Sequence, residues 1–231
     1  NWPQTPVYFT GCRVGVIGTG SSGIQAIPVI AEQAAHLTVF QRTANFSIPN
    51  WDGPLDPSFE RKIKADYPAY RQKARESRGG NIDYYNQQSA LEVGPEERQR
   101  TLEKRWAEGG LNMQLSFGDL LTNQTSNDLV AEFVQGKIRA KVDDPAVAEL
   151  LCPRDHPFGT KRLCQDTSYY ETYNRPNVTL VDISEAPIEA ITPDGISTHG
   201  KVHDLDMIVM ATGFDAITGA LLKIDICGKN G

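Results

Sequence analysis

The sequence has no apolar run long enough to cross a membrane and no segment that resembles a signal peptide. Its longest apolar runs, 14–17 and 207–211, fall far short of the roughly 20 residues that a transmembrane helix needs. It also lacks a surplus of basic residues, because 23 Lys and Arg face 29 Asp and Glu and the formal net charge is −6. Nucleic acids and anionic membranes attract positively charged proteins. We therefore expect a cytoplasmic protein that binds neither.

Cysteine is scarce and shows no pattern. The four cysteines form no C-x-x-C pair, so the sequence predicts neither a disulfide framework nor a metal site. His199 and His203 are four residues apart, but they lie among strand and turn signals, whereas a zinc site with this spacing needs a helical face. With 39% hydrophobic and 23% charged residues, the composition is that of an ordinary globular protein with a substantial core.

The first 43 residues follow a strand–turn–helix–strand order. Residues 14–17 predict a buried parallel strand because the run is continuously apolar, and 37–40 predict a second strand. Between them, the turn 18–23 (GTGSSG) opens a helix in which we expect Pro28 to be tolerated only near the first turns. The apolar face of this helix is predicted to comprise Ile24, Ile27, Val29, Ile30 and Ala34. This order is typical of a Rossmann-like dinucleotide-binding domain.

Residues 44–158 predict a helical insertion that is rich in charge. Asp56-Pro57 is a helix start, and Pro68 is expected to kink or break the helix that follows. Further helices are predicted over 95–108, around 129–138, and from Asp144-Pro145 toward residue 151.

Strand signals return near the C-terminal end. The apolar residues 178–181 predict one more strand, and 207–210 predict a last, buried one. The short segments 188–192, 196–198 and 201–203 are separated by turn residues and predict a small antiparallel meander. The fold class predicted is therefore α/β, a Rossmann-like parallel sheet plus a small antiparallel meander, with a helical insertion.

The glycine-rich turn carries the first chemical signal. In this motif Gly18 makes the tight turn, Gly20 lets the backbone approach a pyrophosphate, and Gly23 allows helix and strand to pack closely. The helix N-terminus offers N–H groups and a positive dipole end to phosphates. The candidate cofactor-binding residues of this turn are Gly18, Thr19, Gly20, Ser21, Ser22, Gly23, Ile24 and Gln25. The alternative is a glycine-rich turn that binds no ligand.

An acidic residue is missing where NAD-binding proteins need one. About 20 residues after such a turn, an acid normally holds the ribose 2′-hydroxyl. Here Arg42 lies 19 residues after Gly23, flanked by Gln41 and Thr43. A guanidinium pairs with a 2′-phosphate through two donors, and Thr43 adds a hydroxyl, so the predicted cofactor is NADPH. The alternative is a solvated surface arginine.

Five motifs together resemble the NADPH-binding domain of type I Baeyer–Villiger monooxygenases, in particular the phenylacetone, steroid and cyclopentanone monooxygenase group. They are VGVIGTGSSGIQ, LTVFQRT, HPFGTKRL, YYETYNRPNV and MATGFDAITGAL. Trp2-Pro3 is similar to the end of that family's fingerprint. The chain begins at Asn1 without a methionine, and we interpret it as an internal piece of a longer protein.

The resemblance implies a domain arrangement. Residues 1–13 form a lead-in, 14–43 and 159–213 the NADPH-binding domain, 44–158 the helical insertion, and 214–231 a crossover toward an FAD domain of the same longer chain. Ala211, Thr212 and Gly213 are implied to form the hinge at that crossover, beside the cofactor. Most of the FAD-binding residues lie outside this sequence.

The resemblance also implies an activity for the longer protein: FAD is reduced by NADPH, and O₂ is used to convert a ketone to an ester or lactone. Lys161 is implied to reach the 2′-phosphate together with Arg42, and Arg162 to turn toward the flavin as a catalytic cation for an oxygen-derived anion. The isolated piece is expected to be inactive. A flavin-containing or N-hydroxylating monooxygenase, and a non-catalytic NADP-binding module, remain alternatives.

Overall fold

A computed structural model of the chain describes residues 3–51, 53–77, 80, 82, 86–214 and 218–229. The chain forms two compact units. The first comprises Asn1–Arg42 and Asn177–Gly231, and the second comprises Thr43–Pro176. The first unit is thus assembled from two segments that are separated in sequence by the whole of the second.

Most predicted elements are present. The strands in the described part are β1 (Arg13–Ile17), β2 (His36–Gln41), β3 (Ser47–Pro49), β4 (Cys164–Asp166), β5 (Val178–Asp182), β6 (Ile188–Thr192), β7 (Gly195–Thr198), β8 (Lys201–Asp204) and β9 (Met207–Met210). The α-helices there are α1 (Ser21–Gln33), α2 (Pro57–Ala65), α3 (Tyr67–Glu76), α4 (Pro95–Glu108), α5 (Gln124–Lys141), α6 (Pro145–Leu151) and α7 (Thr218–Leu222). Short 3₁₀ helices cover Gly110–Leu115 and Glu171–Asn174. The four predicted strands of the parallel sheet and the helix predicted over 95–108 are confirmed to within one residue at each end. The burial predicted for 207–210 is wrong, because β9 is only half-buried and its Met210 is 62% exposed.

The first unit contains a parallel sheet with the strand order β5-β2-β1-β9. All three neighbouring pairs are parallel, and Ile17 lies opposite both Phe40 and Met210. The carboxyl ends of the four strands therefore meet at one edge of the sheet. From β1 the chain passes to β2 and β5 on one side and later returns to β9 on the other. This arrangement confirms the predicted Rossmann-like α/β fold.

Burial on both faces explains why the central strands are continuously apolar. Val14 and Val16 of β1 are buried on one face of the sheet and Gly15 and Ile17 on the other, as expected for a parallel sheet covered on both sides. Helix α1 contacts β1 and β2 and buries Ile24, Ile27 and Ile30. The helical spacing of these isoleucines thus marks the face that packs on the sheet.

Two predictions for α1 are wrong. Pro28 lies inside the helix, well beyond its first turn. Val29 is 56% exposed, although the sequence places it on the buried face. Fully buried Ile27 and nearly buried Ile30 flank this stretch and anchor the helix to the sheet. Tertiary packing therefore outweighs the local cost of a proline without an N–H group.

The predicted antiparallel meander is confirmed as a three-stranded sheet with the order β6-β7-β8. Ile196 and Leu205 of this region form one cluster with Ile17 and Phe40 of the parallel sheet. The ring of His203 packs edge-on against Phe40, with 5.3 Å between ring centroids. The meander thus covers the face of the parallel sheet that carries Ile17 and Phe40.

An ion pair ties the start of β1 to the start of β9. The Arg13 guanidinium donates to both carboxylate oxygens of Asp206, at 2.7 and 3.2 Å, and the Arg13 backbone N–H donates to the same carboxylate at 2.7 Å. The Asp206 backbone N–H in turn donates a hydrogen bond to the Arg13 carbonyl at 2.8 Å. The hydrogen bond from the Arg13 side chain, followed by that from its backbone, lowers the pKa of Asp206 from 3.8 to about 2.

We expect the stability of the chain to fall as the pH drops from about 4 to about 2, and Asp206→Asn to remove part of this dependence. Because the folded pKa lies below the unfolded one, the carboxylate stabilises the fold above pH 4 and loses this effect as it is protonated near pH 2. Urea unfolding at pH 5, 3 and 2 measures the effect. Asp194→Asn, which removes another exposed carboxylate of this unit, is the control. Equal pH dependence in both variants would contradict the assignment.

The second unit is mostly helical, as predicted. Asp56 caps α2 through its side chain, with Pro57 in the first turn. The chain breaks at Asp66, so α2 and α3 are separate helices on either side of the interruption predicted near Pro68. Asp144 caps α6 in the same manner. Asp-Pro pairs start two of these helices because the carboxylate accepts from free N–H groups while proline supplies a helical φ.

Strands β3 and β4 were not predicted from the sequence. They pair in parallel, and the Ser47 hydroxyl donates to the buried Asp166 carboxylate at 2.6 Å. The Cys164 N–H also donates to the Phe46 carbonyl at 3.1 Å. These bonds keep the chain after residue 158 within the second unit, which ends at Pro176, whereas the expected insertion ends at residue 158. The assignment of 159–213 to the cofactor-binding domain stays a prediction.

Within the described ranges, no helix is both long and apolar enough to cross a membrane. All four cysteines are free thiols. In the same part of the chain, no group of three or more His, Cys, Asp or Glu side chains is arranged to hold a metal ion.

Candidate dinucleotide-binding site

The glycine-rich turn lies at the carboxyl edge of the parallel sheet. It connects β1, which ends at Ile17, to α1, which begins at Ser21. On the other side of β1, β9 ends at Met210, opposite Ile17. Neighbouring strands whose connections run to opposite sides leave a crevice at this edge, and α/β proteins bind ligands there. The turn therefore occupies the switch point of the sheet, between β1 and β9.

Two of the three motif glycines are required by the protein itself. Gly18 has a φ of +104°, and a Cβ at this position would lie 2.5 Å from the carbonyl oxygen of Ala211. A Cβ at Gly23 would lie 2.2 Å from the carbonyl oxygen of Gly18. The Gly18 N–H donates to the Phe40 carbonyl at 3.0 Å, which fixes the turn on β2. The turn, the start of α1 and the end of β9 thus pack too closely for a side chain at either position.

Gly20 differs, because none of the residues that the structure describes requires it to lack a side chain. Its φ of −82° is accessible to every residue. A Cβ built at Gly20 would meet no atom within 4 Å. In dinucleotide-binding turns this second glycine lets the pyrophosphate approach the backbone. The open space at Gly20 fits that use.

The N-terminus of α1 is electrostatically suited to phosphate. Gly20 occupies the N-cap position, where no side chain caps the helix. The first turn also contains no acidic residue. Backbone N–H groups and the positive end of the helix dipole therefore face the open space without a competing carboxylate from this turn.

The other predicted residues of the turn differ in exposure. Ser21, Ser22 and Gln25 are exposed and able to contact a ligand through their side chains. Thr19 is 4% exposed and Ile24 is fully buried. The side chains of these two residues therefore serve packing, and only their backbone is positioned to serve a ligand.

Arg42 follows the last residue of β2 and so lies at the same edge of the sheet. Its side chain is exposed and forms no ion pair with any residue that the structure describes. Asp182 is the acid on the neighbouring strand β5, where it pairs with Gln41. Its carboxylate accepts hydrogen bonds from the N–H and hydroxyl of Ser184, at 2.8 and 2.6 Å, and not from Arg42. Thr43, the next residue, is half-buried. The guanidinium of Arg42 is therefore available to an anionic ligand.

Residues 211–213 border the turn from the β9 side. The Ala211 N–H donates to the Ile17 carbonyl at 2.9 Å, and the Ala211 carbonyl lies against Gly18. Thr212 and Gly213 are exposed, and Gly213 has a φ of +92°, which favours glycine. The structure thus brings the predicted 211–213 segment and the turn together. Residues 215–217 and Trp2, which belong to the quoted motifs, lie outside the described residues.

Lys161 and Arg162 belong to the second unit, in an exposed stretch that follows the buried Phe158. The Lys161 ammonium nitrogen lies 3.7 Å from a carboxylate oxygen of Asp155. Arg162 forms no ion pair within the described part of the chain. That Lys161 shares a phosphate with Arg42, and that Arg162 faces a flavin, stay predictions.

Asp155 is a charged neighbour that sequence analysis missed. Desolvation raises its pKa, but the hydrogen bond with His156 and the charge of Lys161 lower it by more, so the net shift is downward. Asp155 is thus an anion at neutral pH and attracts Lys161. No motif spacing marks this pair, because the five residues between them fold back through a turn.

Asn127 was also missed, although a signal existed. It precedes Val130 and Val134 by three and seven residues, which places it on the buried face of α5. A polar residue at a buried helical position must find hydrogen-bond partners. Asn127 finds them in the backbone of the stretch that leads to Lys161.

No protein-family model matches the chain, but curated proteins do. The 2-oxo-Delta(3)-4,5,5-trimethylcyclopentenylacetyl-CoA monooxygenase of Pseudomonas putida is 47% identical over 225 residues, which are 97% of this chain and 41% of that protein. A Baeyer–Villiger monooxygenase of Pseudooceanicola batsensis is 41% identical over 233 residues, covering 100% of this chain and 42% of that protein.

Solved structures agree. Steroid monooxygenase bound to NADP is 55% identical, with a TM-score of 0.94 over 100% of this chain and 44% of that one. OTEMO in complex with FAD and NADP is 46% identical, with a TM-score of 0.92 over 96% of this chain and 42% of that one. The chain is homologous to one segment of Baeyer–Villiger monooxygenases.

The chain spans less than half the length of the Baeyer–Villiger monooxygenases that it matches. Of these homologues, the steroid monooxygenase binds NADP, and OTEMO binds FAD and NADP. NADP and FAD are the two cofactors that the sequence predicts.

Proposed function

We propose that this chain is the NADPH-binding portion of a flavin-dependent Baeyer–Villiger monooxygenase that oxidises ketones to esters or lactones with O₂. The observation that carries the proposal is the open space at Gly20, next to an uncapped helix N-terminus at the switch point of the sheet. Homology over the whole chain supports the reaction class. Arg42 supports NADPH rather than NADH, because a guanidinium pairs with the 2′-phosphate that an acid would repel.

Each part of the site has a role in the proposed complex. Backbone N–H groups at the start of α1 hold the pyrophosphate in the space at Gly20. Arg42, the hydroxyl of Thr43 and Lys161 hold the 2′-phosphate. Residues 211–213 border the cofactor on the β9 side. When bound, NADPH supplies a hydride and FAD supplies the means of activating O₂.

Arg162 serves the oxidation step in this proposal. Its guanidinium stays cationic at any working pH, so it stabilises negative charge that develops on oxygen during attack on the ketone carbonyl. FAD and the ketone are bound mainly by other parts of the longer protein, including an FAD domain of the same polypeptide.

We expect Arg42→Ala to weaken NADPH binding roughly tenfold to a hundredfold, because charge-assisted hydrogen bonds to the 2′-phosphate are lost. NADH lacks that phosphate, so its affinity should not change. Fluorescence titration of the purified chain with each nucleotide measures both values.

Lys201→Ala is the matched control, because it removes another exposed cation of the first unit, on the meander. It should leave both affinities unchanged. Equal wild-type affinity for NADH and NADPH, or unchanged NADPH affinity in Arg42→Ala, would refute the assignment of Arg42.

A further inference from the structure

The segment 155–162, here called the cationic loop, is tightly folded. Its middle residue Phe158 is fully buried. The Thr160 N–H and hydroxyl both donate to the Pro157 carbonyl, at 3.3 and 2.8 Å, and close a turn in which Gly159 has a φ of +79°. The turn leads directly to Lys161 and Arg162. The placement of these two cations therefore depends on what holds residues 158 and 159.

Asn127 of α5 holds Phe158 by its backbone. The Asn127 side chain is 2% exposed. Its amide nitrogen donates to the carbonyls of Phe158 and Leu120, and its amide oxygen accepts from the Phe158 N–H, each at 2.8 Å. Both amide hydrogens and the amide oxygen are thus used. Two of these three hydrogen bonds are made to the backbone of Phe158 in the cationic loop.

Gln114 holds the next residue from a different element, the 3₁₀ helix Gly110–Leu115. Its amide nitrogen donates to the Gly159 carbonyl at 3.1 Å. A Cβ at Gly159 would lie 3.1 Å from that nitrogen, so the Gln114 amide would have to move by a few tenths of an ångström. Two side-chain amides therefore fix two consecutive backbone units just before the cations.

The first half of the cationic loop packs against Phe46, onto which the His156 ring lies edge-on with 5.4 Å between ring centroids, rather than against α5. An open pocket of about 270 Å³ lies against α5, with Asp128 and Ala131 of the helix and His156 and Pro157 of the loop among its lining residues. Side-chain contact with α5 is thus incomplete here. Beside the packing on Phe46, the hydrogen bonds from Asn127 and Gln114 fix the backbone of residues 158 and 159.

We infer that Asn127 and Gln114 are positioning residues that present Lys161 and Arg162 in one fixed arrangement. A buried amide costs free energy unless its hydrogen bonds are made, so Asn127 on the buried face of α5 requires the hydrogen-bond partners that the cationic loop supplies. The inference deepens the proposed function, on which it rests, by naming what holds the cations for the 2′-phosphate and the oxidation step.

Limited digestion of the 231-residue chain with trypsin tests the positioning without any ligand, because trypsin cleaves after Lys161 and Arg162. Asn127→Ala and Gln114→Ala should each speed cleavage at these two sites by roughly tenfold, since local opening controls proteolysis. Cleavage at other lysines and arginines should not change. Mass spectrometry of the early fragments identifies the sites.

Asn174→Ala is the matched control. Asn174 also makes two hydrogen bonds to backbone, donating to the Lys141 carbonyl and accepting from the Asp143 N–H, but at the far end of α5. It should leave cleavage after Lys161 and Arg162 unchanged. Unchanged cleavage in the two amide variants, or a parallel rise at all sites, would overturn the inference. If Asn127→Ala does not fold, the cleavage rate of Gln114→Ala after Lys161 and Arg162 tests the inference by itself.

Nucleotide titration then connects the loop to the ligand. In Gln114→Ala and Asn127→Ala the dissociation constant for NADPH should rise roughly tenfold and that for NADH should not. Adding Lys161→Ala to either variant should change little further, because both act on one contact. Faster cleavage with unchanged NADPH affinity would show that the amides hold the loop but that Lys161 does not bind the 2′-phosphate, which overturns the part of the inference that concerns the cofactor. A wild-type chain that binds no NADPH would refute the proposed function, and the digestion would still decide what holds the loop.

Discussion

Gly20→Ser is expected to weaken NADPH binding by on the order of a hundredfold while leaving the chain as stable as the wild type or slightly more stable. The serine side chain would fill the space in which the pyrophosphate is proposed to meet the backbone, and hydrogen bonds to charged groups contribute about 1.5–3 kcal/mol each. Serine also caps helices slightly better than glycine, by a few tenths of a kcal/mol. NADPH titration and urea unfolding of the same protein measure the two effects.

Gly23→Ala supplies the contrast in the same turn. Its Cβ would lie 2.2 Å from the Gly18 carbonyl oxygen, so the backbone must shift and we expect a loss of about 2 kcal/mol or more in the free energy of unfolding. Wild-type NADPH affinity in Gly20→Ser would remove the pyrophosphate from this turn. A loss of stability in Gly20→Ser as large as in Gly23→Ala would show that the protein, and not a ligand, needs the space.

The elements of the fold that sequence predicts well are those whose signal is local. Asp56 and Asp144 start helices because a carboxylate followed by proline satisfies the first turn by itself. The central strands stand out because burial on both faces of a parallel sheet demands continuous apolar runs. Each signal is contained within a few consecutive residues.

Elements that depend on distant partners were missed. Strands β3 and β4 have three residues each, too few for periodicity, and exist because Ser47 and Asp166 meet across more than a hundred residues of sequence. The same pairing explains why the second compact unit extends to Pro176. Pro28 within α1 is a related case, because a fixed tertiary contact overrides the local rule.

For the candidate site, the sequence predicts a separate role for each motif glycine but not the atoms that require it. The structure adds that Gly18 and Gly23 leave no room for a Cβ, whereas a Cβ at Gly20 would meet no atom of the described residues within 4 Å. At Gly18 the obstacle is the carbonyl oxygen of Ala211, nearly 200 residues away, which no local pattern reports. Arg42 was recognisable because the missing acid is itself a local signal.

In the complete monooxygenase that we propose, Arg162→Ala is expected to lower the rate of ester formation a hundredfold or more. A cation placed where negative charge develops contributes about that much to a reaction rate. NADPH binding and flavin reduction should persist, because the 2′-phosphate is assigned to Arg42 and Lys161. Stopped-flow absorbance follows flavin reduction, and chromatography of the products measures the ester.

The adjacent Lys161→Ala is the matched control for Arg162→Ala, since it removes a neighbouring exposed cation of the same loop. It should raise the KM for NADPH and leave ester formation at saturating NADPH nearly unchanged, because binding lost equally in ground and transition states does not alter kcat. Ester formation near the wild-type rate by Arg162→Ala would remove Arg162 from the catalytic site. A raised KM for NADPH in Arg162→Ala, with no effect on kcat, would instead assign Arg162 to cofactor binding. The reason is that losing a group that acts in the transition state lowers kcat while cofactor binding is retained.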